Sequence, residues 1–454
     1  MLGNSVNRGR PAARKPGRWR LSKLKRYGTT RFACERWSPT KATNLFVWAL
    51  AFFLLVVVDI FGLEADTRKM SQDITARVMA PFYPPESSDV LVILFDNSYL
   101  QAGGTWPASF TDHTLLVNRL ASLAPKSILY DIIFAKRDGS HDASPLSETI
   151  QRLDGKGIPF YYPQDVNSVA HGEIGAVSRQ VRTQWDNEGV FYPPTHENKP
   201  TPAFKIYTDS LRQQASAPAI GDLSQWPDLF VYWGAREAHE DRTYWQKLGD
   251  AISNVLPAFY EPQSRPYIRS VTYDEFFSTN DRDKLHDLVA GKHVIVGASI
   301  DGVEDYVTNA VDGQTPGVFL HAMALDNLIK FGKEYFRDGD EMGWSFLPKP
   351  LLIEILAIVG LVFMWQWVNC RSRPTRYGKL PLQQQRWQRL KHLAAPSILS
   401  FFMLAFLFWY INGYLRSDPG NVIGILSIDL PILAAIRISI EILVAKLFFD
   451  ETVS

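Results

Sequence analysis

Four long apolar segments constrain this chain more than any other feature of its sequence. Each approaches the length of about twenty residues that crosses a ~30 Å hydrocarbon core as a helix. We predict four transmembrane α-helices, at residues 44–63, 351–368, 395–415 and 422–444. A cleaved signal peptide is the alternative for the first segment. The basic stretch before that segment is too long for one, and no small-x-small cleavage site follows it.

Charge is distributed very unevenly along the chain. Residues 1–41 contain twelve Lys/Arg and one acid, whereas residues 64–345 contain 25 basic and 39 acidic residues, a net charge of −14. Residues 371–391 contain seven Lys/Arg and no acid. Because basic segments stay in the cytoplasm, we expect a bacterial inner (cytoplasmic) membrane protein with both termini cytoplasmic and residues 64–345 periplasmic or extracellular. The cytoplasmic segments are then a basic tail, a basic loop and a short tail, at residues 1–43, 369–394 and 445–454.

The fourth predicted span contains three charged residues. Asp429, Arg437 and Glu441 are eight and four residues apart, so they lie roughly on one helix face. Charges inside a bilayer are costly unless they are paired or face protein or water. Either Arg437 pairs with Glu441 while Asp429 lies near the outer surface, or this face holds a partner's helix or the span that carries Glu354. The sequence leaves both readings open.

The large segment between the first two spans alternates strand-like and helix-like runs. Residues 90–95 form a continuous apolar, β-branched run, which is typical of a strand covered on both faces and which ends at Asp96. Thr111-Asp112 can cap a helix, and a second strand, 127–130, ends at Asp131. A strand, a helix and a strand at this spacing indicate parallel pairing.

Later runs complete the predicted fold. Further strands are expected at 228–233 and 293–297, and a helix at about 317–329. Residues 163–227 are rich in Pro, Gln, Asn and Ser, so we interpret them as an irregular insertion. The predicted fold class is therefore an α/β extracytoplasmic domain, with a mostly parallel central sheet and helices on both faces, plus the four transmembrane helices.

Two carboxylates occupy equivalent places in this predicted sheet. Asp96 and Asp131 each follow a parallel strand, and ligands in open α/β sheets bind beyond the carboxyl ends of strands. Such a pair could hold a hard cation or act as an acid/base pair. Alternatively, the two carboxylates only form hydrogen bonds to Trp106 and to loop amides such as those near Gly103 and Gly104. Trp106 precedes a proline and either stiffens a loop over the strand ends or stacks on a ligand.

Several motifs together resemble those of a known family. The first group resembles the opening motif of the type-two CHASE domain, the cyclases/histidine kinases associated sensory extracellular domain: 95–100, 104–107, His113 and 130–134. The second group is similar to its closing motifs: 291–298, 301–305 and 316–322. The resemblance covers about residues 64–340, and one span before and three after is also similar to the family's pattern. One departure is Trp106-Pro-Ala-Ser-Phe110, where many members repeat Trp-Pro before an Arg.

The resemblance implies extracytoplasmic sensing, with a signal passed through the spans to a cyclase, kinase or phosphodiesterase-type output. Only a few residues follow the last predicted span, so we expect the output on another polypeptide. The candidate ligand-binding residues are Asp96, Trp106, Asp131, Asp305 and His321. Packing roles are the alternative for Asp305 and His321.

No catalytic signature is present, so an enzyme, a cofactor and a metal site are not expected. The expected partners are the lipid membrane and a cytoplasmic or membrane signalling partner on another chain. A homodimer is also considered, although no heptad seam supports it, and nucleic acid is not expected. The alternative functions are a non-catalytic membrane scaffold of an envelope-associated complex and an extracytoplasmic hydrolase that uses Asp96 and Asp131.

Overall fold

The structure is a computed structural model, and its described part begins at Leu63 and ends at Arg337. It describes residues 63–84, 89–134, 142–163, 172–183, 190–213, 221–235, 243, 245–247, 249–250, 266–303 and 305–337. These residues belong to one compact unit.

The described residues form nine α-helices and twelve β-strands. They are α1 (Leu63–Met79), β1 (Val90–Asp96), α2 (Asn97–Gln101), α3 (Phe110–Ala121), β2 (Ser127–Tyr130), α4 (Ser144–Gly155), β3 (Phe160–Pro163), α5 (Gly172–Val177), β4 (Arg179–Val181), β5 (Phe191–Tyr192), β6 (Thr195–His196), β7 (Lys199–Pro200), α6 (Pro202–Arg212), β8 (Leu229–Phe230), β9 (Ser270–Thr272), α7 (Tyr273–Ser278), α8 (Arg282–Val289), β10 (His293–Ser299), β11 (Tyr306–Asn309), β12 (Gly313–Pro316) and α9 (Val318–Phe331). Short 3₁₀ turns follow α1 and α9, at Ala80–Phe82 and Gly332–Glu334, and a third lies at Leu223–Gln225.

A six-stranded parallel sheet forms the centre, in the order β4-β3-β2-β10-β1-β9. The apolar runs of β1 and β10 pair along their whole length, from Val90 opposite His293 to Asp96 opposite Ser299. Their residues are almost entirely buried, which is why both strands read as continuous apolar runs. The predicted α/β fold with a mostly parallel sheet is confirmed.

Helices cover both faces of this sheet, as predicted. Alternate residues of each strand enter different apolar clusters: Val92 of β1 faces the side of α6 and α9, and Ile93 faces the side of α3, α4, α7 and α8. Helix α3 begins at Phe110 because the Ser109 side chain accepts the backbone N–H of Asp112. The cap therefore lies two residues before the expected Thr111.

The segment 163–227 differs from the irregular insertion that we expected. Within its described part, β4 extends the central sheet, and α6 buries Ala203, Phe204 and Ile206 against the apolar cluster that contains α9. Pro202 starts α6 instead of interrupting a helix, because a proline at the first helical position loses no helical hydrogen bond. Downstream, the strand expected at 228–233 is reduced to β8, which pairs antiparallel with β5 outside the central sheet.

Among the described residues, no helix has both the length and the apolar character needed to cross a membrane. The four predicted spans fall outside the described residues, apart from Leu63, the first residue of α1. They stay predictions, as do the charges Glu354, Asp429, Arg437 and Glu441, which also lie outside the described residues.

Candidate functional site

Asp131 follows β2 directly at the carboxyl edge of the sheet. Its backbone N–H donates to the carbonyl of Val296 in β10, at 2.7 Å, which extends the parallel ladder by one residue. Its side chain is only 10% exposed. Burial disfavours the charged carboxylate and raises the pKa of Asp131 to about 7.

His321, in the first turn of α9, faces this carboxylate. Its Nε2 lies 3.5 Å from Asp131 Oδ2, and its Nδ1 lies 2.8 Å from the hydroxyl of Tyr192. Burial lowers the pKa of His321 to about 4, so its imidazole is neutral at pH 7. The Tyr192 oxygen accepts the backbone N–H of Ala203 and can donate its own proton to Nδ1. With Tyr192 as the donor, Nδ1 accepts, and the imidazole proton lies on Nε2, on the side that faces Asp131.

Asp305 reaches the same place from the loop between β10 and β11. The residue is exposed, but its carboxylate packs against Gly317, where a Cβ would lie 2.5 Å from Oδ1. Loss of water on that side raises the pKa of Asp305 to about 6, the negative charge of Asp131 adds to the effect, and His321 opposes it. The structure thus brings together Asp131, Asp305 and His321, three of the five predicted ligand-binding residues.

The carboxylate cluster, defined as Asp131, Asp305, His321 and Tyr192, combines two acids whose pKa values are raised with a neutral imidazole and a phenol. Such a set accepts hydrogen bonds, binds a proton or faces a cationic group, and it contains no activated nucleophile. In the part of the chain that the structure describes, no group of three or more His, Cys, Asp or Glu side chains is arranged to hold a metal ion.

Asp96 does not join this cluster. Because β10 lies between β1 and β2, the carboxyl ends of those strands are roughly 10 Å apart. Asp96 instead caps α2: its Oδ1 accepts the backbone N–H of Ser98 at 3.1 Å and the Ser98 hydroxyl at 2.6 Å. The observed hydrogen-bond partner of the Asp96 side chain is therefore Ser98, and not the amides of Gly103 and Gly104 that we considered.

Trp106 also lies apart from the cluster contacts. Its indole packs on Phe95 with ring centroids 6.2 Å apart, and the peptide bond to Pro107 is cis. The ring is half-buried at the edge of the apolar layer on the α3 side. Its position fits the stiffening of the loop that follows α2.

Sequence reasoning missed Tyr192 and Gly317. Tyr192 lies in the segment expected to be irregular, and its partner His321 is 129 residues away, so no local pattern joins them. The short apolar pair Phe191-Tyr192 before two prolines was the one available signal. Gly317 was seen only as part of a motif, and its contact with Asp305 depends on the tertiary fold.

Comparisons with known proteins agree with the resemblance in the motifs. The model of the CHASE2 domain matches residues 47–365, which is more than half of the chain. CHASE2 domains are extracellular sensory domains. No curated protein and no solved structure matches the chain. On the extent of the family match, the chain belongs to the CHASE2 domain family.

Proposed function

We propose that this protein is a membrane sensor: its α/β domain binds a stimulus outside the cytoplasm, and its helices pass the signal to a separate cytoplasmic partner. The observation that carries the proposal is the CHASE2 match over residues 47–365, because this family consists of extracellular sensory domains.

The carboxylate cluster is the proposed place of binding. Among the described residues, no lysine or arginine forms an ion pair with Asp131 or Asp305, although Asp131 is buried. A buried carboxyl group without a cationic partner lowers stability, and groups of this kind concentrate at functional sites. The charges favour a ligand that presents a cationic or hydrogen-bond-donating group.

A non-enzymatic role is part of the proposal. A hydrolase that used Asp96 and Asp131 as a pair would need both carboxylates at one substrate. Asp96 is engaged with Ser98, and β10 separates the two strand ends. The geometry therefore disfavours the hydrolase alternative.

The membrane topology can be tested with the two natural cysteines. Cys34 and Cys370 are predicted to be cytoplasmic, and Asp154→Cys would place a thiol on the exposed end of α4. In intact spheroplasts, a membrane-impermeant maleimide should label residue 154 alone. After permeabilisation, it should label all three thiols. Labelling of Cys34 or Cys370 before permeabilisation, or protection of residue 154, would refute the proposed orientation.

The signalling role is tested by crosslinking the tagged full-length chain in its own cells with a membrane-permeable reagent. Asp131→Asn is compared with Asp154→Asn, an exposed control on α4. If the proposal is right, a kinase, cyclase or phosphodiesterase-type partner is recovered. The yield of its crosslink should differ from that of the natural chain in Asp131→Asn and not in Asp154→Asn. Envelope-assembly proteins in all three chains would instead favour the scaffold.

The scaffold alternative has one specific observation in its favour, the charged face of the predicted fourth span. Polar groups within a bilayer are retained when they face protein or water. If the chain is a scaffold, Arg437→Leu should abolish crosslinks that Asp131→Asn leaves intact. The opposite pattern supports the sensor.

A further inference from the structure

Helix α9 takes part in two side-chain networks at its opposite ends. His321 in its first turn belongs to the carboxylate cluster, whereas Asp326, Asn327 and Lys330 lie in its last turns. His321 and Lys330 are nine positions apart in the sequence, about 14 Å along the helix axis. The residues between the two networks are almost completely buried, so the helix is held by packing along its length.

The second network joins α9 to the chain that follows α1. The Tyr83 hydroxyl donates to Asp326 Oδ2 at 2.7 Å and accepts from Asn327 Nδ2 at 2.8 Å. Lys330 Nζ lies 3.0 Å from the same Asp326 oxygen. Asp326 is fully buried, so this ion pair is shielded from solvent.

Aromatic rings enclose this contact. Lys330 Nζ lies 4.5 Å from the centroid of the Tyr83 ring and 4.7 Å from that of Tyr267. A Cβ at Gly234 would approach both rings at 2.8 Å, so the chain there fits only a glycine. We call Tyr83, Tyr267, Asp326, Asn327 and Lys330 the Tyr83 latch.

The latch holds the chain that follows α1, the first helix after the predicted span 44–63 in the sequence. Tyr83 directly follows the 3₁₀ turn Ala80–Phe82, and α1 before that turn begins at Leu63, where the predicted span 44–63 ends. The carboxylate cluster and residues 79–84 therefore contact opposite ends of the same helix.

We propose that α9 couples the carboxylate cluster to residues 79–84. A change of charge at the carboxylate cluster shifts α9 and thereby weakens or strengthens the contacts by which the Tyr83 latch holds residues 79–84. This inference rests on the proposed sensor function and adds its route of transmission. The physical basis is that closely packed elements respond by discrete shifts and not by gradual deformation. A coupling of this kind is demonstrated only when a perturbation at one end changes an equilibrium at the other.

The test is hydrogen–deuterium exchange on the full chain in lipid nanodiscs, which needs neither the ligand nor the partner. Asp131→Asn removes the buried charge, and Asp154→Asn on α4 is the control. We expect Asp131→Asn to change the exchange rate of amides in residues 79–84 by about 5-fold or more. The control should leave those rates unchanged.

A second comparison requires the latch itself. In a Lys330→Met chain, adding Asp131→Asn should no longer change exchange at residues 79–84. Tyr83→Phe, which removes only one hydroxyl, replaces Lys330→Met if that variant does not fold. If Asp131→Asn leaves the exchange rates at residues 79–84 unchanged, the inference is overturned, whether or not the rates at residues 318–322 change. It is also overturned if Asp131→Asn still changes exchange at residues 79–84 in a chain that lacks the latch. Such a failure leaves the sensor proposal standing, because the topology and partner experiments do not depend on this route.

Discussion

The hydroxyl of Tyr192 lies 2.8 Å from Nδ1 of His321, and this contact ties the short strand β5 to the first turn of α9. The same oxygen accepts the backbone N–H of Ala203 at 3.1 Å. One phenol therefore satisfies a buried helix terminus and orients the imidazole that faces Asp131.

Removal of that hydroxyl should destabilise the domain. Tyr192→Phe leaves the Ala203 N–H and His321 Nδ1 without this partner, at an expected cost of about 1–3 kcal/mol in the free energy of unfolding. Tyr306→Phe is the matched control, because Tyr306 is exposed, and it should change stability by less than about 0.5 kcal/mol. Urea denaturation measures both. Equal stability of the two variants would contradict the role given to Tyr192.

Gly317→Ala should displace Asp305, since the new methyl group would lie 2.5 Å from its Oδ1. The backbone at residue 317 is helical, so alanine fits its conformation, and the contact of the new methyl group with Asp305 is the expected cause of any destabilisation. Gly155→Ala at the end of α4 is the control, because nothing lies within 4 Å of its Cβ position. We expect a lower melting temperature for Gly317→Ala, by several degrees, and no decrease for Gly155→Ala. Asp305→Ala should restore most of the loss in the double variant, and a loss that persists would rule out this clash as its cause.

Asp131 should make stability fall as the pH rises. Its pKa is about 7 in the folded chain and 3.8 ordinarily, so the folded state binds the proton more tightly. The stabilising contribution of the protonated form is complete below about pH 4 and is lost as the pH passes 7. Asp131→Asn cannot ionise, so its stability relative to the natural chain should increase between pH 4 and 8, on the order of 2–4 kcal/mol.

Chemical denaturation at several pH values checks this expectation. The titration of His321 is present in both chains and cancels to first order in the difference. Asp154→Asn, which changes an exposed carboxylate, should show no such trend. A difference between Asp131→Asn and the natural chain that is constant from pH 5 to 8 would mean that Asp131 titrates normally.

Asp96 should behave as a helix cap only. Asp96→Ala removes the acceptor for the Ser98 N–H and should cost about 1 kcal/mol in stability. Asp96→Asn, which keeps an oxygen acceptor, should recover most of that loss. Asp96→Ala could instead change partner crosslinking, and Asp96→Asn could restore the stability but not the crosslinking. That result would place Asp96 in the proposed binding site.

The central strands were predictable because a strand that is buried on both faces has a continuous run of apolar residues in its sequence. β1, β2 and β10 were all recognised in this way, and α9 followed from its apolar character and helical length. The short strands between 163 and 227 were missed because β5, β6 and β7 are only two residues long, too short for a periodic pattern, and β5 pairs with the distant strand β8.

The candidate site was only half predictable for a related reason. Asp96 and Asp131 look equivalent in the sequence, since each follows an apolar strand. The order of strands separates them, because β10 enters between β1 and β2 from nearly two hundred residues later. Contacts such as Asp131 with His321 depend on that order, which no local pattern specifies.

The position of β10 near the end of the domain sequence also affects how the domain folds. Until residues 293–299 are available, β1 and β2 have no shared neighbour, and their apolar edges are open to other chains. Pairing of Val90 with His293 closes a very long loop, a topology that folds slowly. During synthesis, the nascent domain would therefore rely on chaperones to prevent aggregation. A chain truncated before β10 should be degraded as unfolded protein, and no smaller folded domain should accumulate.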